Sequence, residues 1–71
     1  MPAAPAFNLT PRELEILKFV ALGATNAQVA TELHISGSTV KNHLCSVFAK
    51  MDVSSRSQAI AFAIKRGLIS I

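Results

Sequence analysis

Seventy-one residues make one domain with a small core, and the 51% apolar share is enough to fill that core. No apolar run approaches membrane-spanning length, the net charge is a modest +3, and one cysteine excludes an internal disulfide. Zinc-type Cys/His spacing and a glycine-rich phosphate loop are both absent, so neither a structural metal nor a bound nucleotide is expected.

Met1-Pro2-Ala3-Ala4-Pro5-Ala6 is too short and lacks the charge for a signal peptide, and residues 1–8 are expected as a disordered arm ahead of a domain over 9–71. Thr10-Pro11-Arg12-Glu13 is a helix start: Thr10 can cap, Pro11 sits at the first helical position and Glu13 completes a capping box. This first helix is predicted over about 11–22 and ended by Gly23, with Ile16, Leu17, Val20 and Ala21 as its buried stripe. Leu14 and Phe19 broaden the stripe beyond what a small core obviously needs. Thr25-Asn26-Ala27-Gln28 repeats the capping-box logic, predicting a short second helix over 26–33 with Val29, Ala30 and Leu33 inward. His34 and Ile35 form a turn, and Ser36 caps a third helix over 37–50.

That third helix has two different sides. Val40, Leu44, Val47, Phe48 and Met51 recur with the 3.6-residue period of a buried face. Opposite them lie Ser38, Asn42, Cys45 and Ala49, flanked by Lys41, Ser46 and Lys50, with no acid among them. Short donors and acceptors beside lysines suit a helix laid in the major groove, where polar side chains meet base edges and cations meet phosphates. Two helices joined by so short a turn make a helix-turn-helix, although a tight corner in a purely structural bundle has the same spacing.

The chain leaves through Met51-Asp52-Val53-Ser54, and Ser55-Arg56-Ser57-Gln58 opens a fourth helix over 56–66, stopped by Gly67. Ala59, Ile60, Ala63 and Ile64 form its apolar stripe, and Phe62 lies off it beside Ala59 and Arg66. The expected fold is therefore all-α, a compact four-helix domain. Its cations gather late: Lys41, Lys50, Arg56, Lys65 and Arg66 face Asp52 alone, which favours a polyanionic partner. With no nucleophile–base pair, no metal set and four carboxylates, one of them committed to a cap, an enzyme is not expected. His43 at the edge of the core face reads as a packing residue, His34 as a solvated turn residue and Cys45 as an inert small side chain.

The run Leu9-Thr10-Pro11-Arg12-Glu13, then Gly23, Asn26, Val29-Ala30, Ile35-Ser36, Thr39-Val40-Lys41-Asn42-His43, Lys50-Met51, Val53, Ser55-Arg56, Ala59 and Gly67-Leu68 resembles the LuxR-type (GerE-like) DNA-binding domain, which is also the output half of NarL/FixJ response regulators. The resemblance implies a transcription regulator of the bacterial cytosol that binds double-stranded DNA as a homodimer, needs no cofactor and has RNA polymerase as a further candidate partner. It places Thr39, Lys41, Asn42 and Cys45 against bases and backbone, with Ser38 and Ser46 on the same outward face. Lys50 and Arg56 fall where the family meets phosphate, and Thr25, Asn26 and Ser36 stand at helix N-termini that can hold one. Ala59, Phe62, Ala63 and Arg66 on the last helix are the candidate dimer surface. Two departures stand out: Cys45 occupies a position where relatives often carry a stronger polar reader, and Leu14 replaces a residue that is usually polar. Two rival readings stay open, a promoter-binding domain like sigma-factor region 4 and a protein-interaction module built on a degenerate helix-turn-helix.

Overall fold

The computed structural model describes residues 8–69. Four helices follow one another: α1 (Pro11–Ala21), α2 (Asn26–Leu33), α3 (Gly37–Met51) and α4 (Arg56–Lys65). Met1–Phe7, most of the expected arm, lie outside the described residues. Asn8, the last residue of the expected arm, accepts a hydrogen bond at its carbonyl from Lys50 Nζ at 3.2 Å.

Each helix starts where a hydroxyl satisfies backbone N–H groups that have no partner within the helix. Thr10 accepts from Glu13 N and Glu13 Oε1 accepts from Thr10 N; Thr25 and Gln28 make the same reciprocal pair. Ser36 caps α3 through Thr39 N, and Ser55 caps α4 through Gln58 N. At Ser55 the box is not reciprocal, since the Gln58 side chain accepts from Ser54 N.

All four helices end alike, with one N–H bonding a carbonyl five residues back and its predecessor bonding one three residues back, the Schellman arrangement. After α1 and α4 the left-handed residue is glycine, Gly23 at φ 93° and Gly67 at φ 75°. After α2 and α3 it is His34 at φ 58° and Asp52 at φ 56°. These turns adjust the predicted boundaries by one residue: α1 stops at Ala21, α3 continues to Met51 and α4 stops at Lys65.

The core has two clusters that share α1 and α3. Ile16 and Val20 meet Val29, Val40 and Leu44 in one; Leu17 meets Val47, Met51, Ala59, Ala63 and Ile69 in the other. Phe48 packs against both. The second cluster needs α4 close, and Ala59 and Ala63, both fully buried, permit that approach. Ala59→Leu would overpack it by about 1–3 kcal/mol. Leu14, Phe19 and Phe62 pack against these clusters, so the apolar excess read from the sequence is largely core rim. Among the described residues the large hydrophobics that remain exposed are Leu22 and Ile64. Among the described residues no helix is long and apolar enough to cross a membrane.

Candidate nucleic-acid interface

The capping of Ser36 and the burial of Val40, Leu44, Val47 and Met51 set the rotation of α3. Ser38, Lys41, Asn42, Cys45 and Ala49 are consequently exposed. With about 100° between successive residues, Ser38, Asn42, Cys45 and Ala49 fall within one narrow stripe, and Lys41 stands to one side of it. Among the described residues no side-chain hydrogen bond or ion pair holds Lys41, Asn42 or Cys45. Thr39 is half-buried, and its hydroxyl lies 2.9 Å from Ser36 Oγ, so it completes the cap as well as edging the face.

Lys50 and Ser46 have a different place from the one expected of them. They lie on the flank of α3 that faces the start of α1. Lys50 Nζ donates to Glu13 Oε1 at 2.7 Å, and Ser46 lies on the same flank, close enough to the carboxylate to favour its ionised form. Glu13 is only 4% exposed. Burial by itself would raise its pKa; hydrogen bonds from Lys50, the Thr10 backbone and Ser46, with the Lys50 charge, outweigh that and bring the carboxyl to about 2. Lys50 is thus the counter-ion of a buried carboxylate while its side chain stays 31% exposed, and Ser46 stands beside the same carboxylate. Glu13 was legible as a cap; its second role was not, because its partner is 37 residues away.

Arg56 reaches across the domain, and its Nη2 donates to Asn26 Oδ1 at 2.7 Å. The acceptor is neutral, so the guanidinium charge is not cancelled. The bond brings the N-termini of α2 and α4 together around a recess lined by Thr25, Asn26, Arg56 and Ser57, above Val20 and Ile60. Two helix N-termini and one arginine give that recess a positive character.

On α4, two of the four residues expected on a dimer surface are corrected by their burial. Ala59 and Ala63 are wholly enclosed in the core and offer no area to a second copy. Phe62 is half-buried with the Arg66 guanidinium 5.1 Å from its ring centre, a cation–π contact, and Arg66 is exposed. Ile64, read as part of the buried stripe, is 42% exposed instead. Among the described residues no three His, Cys, Asp or Glu side chains gather as a metal set.

A two-faced helix behind a short second helix, capped and rotated in this way, matches a known sequence family. The model of the bacterial regulatory proteins of the luxR family matches residues 7–63. The chain belongs to the luxR family. Its helix-turn-helix is a DNA-binding domain of the transcription-regulating kind. This luxR-family chain is 44% identical over 68 residues to the transcriptional regulatory protein LiaR of Bacillus subtilis (strain 168), covering 96% of its own length and 32% of LiaR. It is 41% identical over 61 residues to the response regulator VraR of Staphylococcus aureus (strain Mu3), covering 86% of itself and 29% of VraR. Among solved structures it resembles the response regulator ChrA of a heme-sensing two-component system, with a TM-score of 0.83 at 43% identity over 86% of this chain and 30% of that one. The chain therefore spans about a third of the length of the curated relatives it matches.

Proposed function

We propose that the domain regulates transcription in the bacterial cytosol, without catalysing a reaction, by placing α3 in the major groove of a specific duplex. The acid-free exposed stripe of α3 carries this reading, because it is the side the core leaves outward. Asn42 and Cys45 face base edges, with Ser38 at the entering end, while Lys41 meets the backbone at the groove edge. Arg56 and the N-termini of α2, α3 and α4, through Thr25, Asn26, Ser36 and Thr39, fix the domain on phosphates. A second copy reads a half-site about one helical turn away, with Phe62, Ile64 and Arg66 of α4 as the contact. RNA polymerase is the further candidate partner of this reading.

Titration of a labelled duplex at several salt concentrations tests the proposal. Binding should weaken steeply with salt, and Lys41→Ala should lower both affinity and the salt dependence. An unchanged curve for Lys41→Ala would move the groove surface away from α3.

A further inference from the structure

Given α3 as the groove helix, on which this inference rests, we propose that the operator half-site is centred on A·T pairs: Asn42 reads an adenine, and Cys45 with Ala49 seats the methyl of an adjoining thymine. The argument is one of elimination on the exposed stripe. Guanine is most often read by arginine or lysine, bidentate to its O6 and N7. Between Gly37 and Met51 there is no arginine. Of the two lysines there, Lys50 is held 2.7 Å from Glu13, and Lys41 is the backbone contact at the groove edge in the reading on which this inference rests. Cytosine is read through an acceptor for its amino group, and the helix holds no Asp or Glu to supply it. Ser46, which could have served either base, is half-buried and lies off the stripe, on the flank of α3 toward Glu13.

What remains in the stripe beyond the Ser38 hydroxyl at its entering end is an amide, a thiol and a methyl. The Asn42 amide carries the donor and acceptor that match adenine N7 and N6. Cys45 is exposed and Ala49 lies one turn beyond it, so together they form a small apolar surface. A thiol behaves as a small hydrophobe with weak hydrogen bonding, and in the major groove the thymine methyl is its apolar complement. Asn42 and Cys45 are about 4.5 Å apart along the helix axis, close to the roughly 3.4 Å rise of a base pair, so they address neighbouring pairs.

The test is selection of bound sequences from a random duplex pool, followed by titration of the selected duplex with each thymine in turn replaced by uracil, which lacks the methyl. Each selected half-site should contain an adenine beside a thymine. One uracil replacement should weaken binding about three- to fivefold, the worth of one buried methyl. Cys45→Ser should erase that difference between thymine and uracil. Asn42→Ala should cost about tenfold on the selected duplex. Half-sites centred on G·C, or equal affinity for every uracil-substituted duplex, would overturn the inference while leaving DNA binding in place. Failure to bind any duplex at low salt would overturn the groove-helix reading itself, and this inference with it.

Discussion

On one side of α3, Ser38, Lys41, Asn42 and Cys45 are exposed and unclaimed by the rest of the fold; on the other, Ser46 and Lys50 converge on the carboxylate of Glu13. Both sides are polar and basic, and they sit on the same helix within a few residues of each other. What separates them is the neighbour each faces. A carboxylate that is 4% exposed cannot stay ionised without a partner, so the nearest ammonium and hydroxyl are drawn to it. Among the described residues the open side faces no side-chain partner and leaves its donors in solvent. A lysine on a recognition helix is therefore not automatically a phosphate contact. Its availability depends on whether a buried acid is within reach.

The largest effect that separates the two sides is on stability. Glu13→Ala should lower unfolding free energy by about 3 kcal/mol, the equivalent of a carboxyl held near 2 instead of 4.5, as read by denaturant titration. The sign with pH follows from the depressed folded value. The Glu13 contribution is fully present above about pH 4.5 and is lost as pH falls toward about 2, so wild type should lose stability across that window while Glu13→Ala shows a flatter profile. A wild-type curve as flat as the variant's would remove the buried pair from the account.

The open side should behave in the opposite way. Asn42→Ala should weaken specific duplex binding by about 1–3 kcal/mol and shift stability by no more than about 0.5 kcal/mol, since the side chain packs against nothing buried. Comparing lysines sharpens the contrast further. Lys41→Ala should reduce the slope of log affinity against log salt by about one, whereas Lys50→Ala should leave that slope in place and lower the melting temperature. If Lys50→Ala reduced the slope as much as Lys41→Ala, the pair with Glu13 would have to open on DNA.

The smallest effect concerns the turns that flank α3. His34 and Asp52 hold left-handed backbone that glycine adopts without strain, so His34→Gly should raise stability by up to about 1 kcal/mol, measured as a higher melting temperature. No change in duplex affinity is expected, because His34 only ends α2.

Much of this domain was legible residue by residue. Thr10 with Glu13, Thr25 with Gln28, and the hydroxyls of Ser36 and Ser55 each act on a neighbour three positions away, so the helix starts follow from local spacing. Gly23 and Gly67 marked two helix ends for the same reason, and the turn at His34 and Ile35 marked the end of α2 at Leu33, although neither His34 nor Asp52 is a residue type that demands the left-handed conformation it holds. The outward stripe of α3 was also readable, because the 3.6-residue period of Val40, Leu44, Val47 and Met51 fixes which side faces away from the core.

Long-range encounters were not readable. Ala59 and Ala63 could have faced a second copy or the core, and only the packing of α4 on Leu17, Val47 and Met51 placed them inside. Lys50 could have faced phosphate or a carboxylate, and only the meeting of α1 with α3 paired it with Glu13. By itself, then, the chain of residues determined four helices, their caps and the two-faced character of α3, since those rest on neighbours within one or two turns. The tertiary structure alone decided which polar and small side chains remain exposed and which are enclosed or paired. That choice depends on which buried groups helices far apart in sequence bring together.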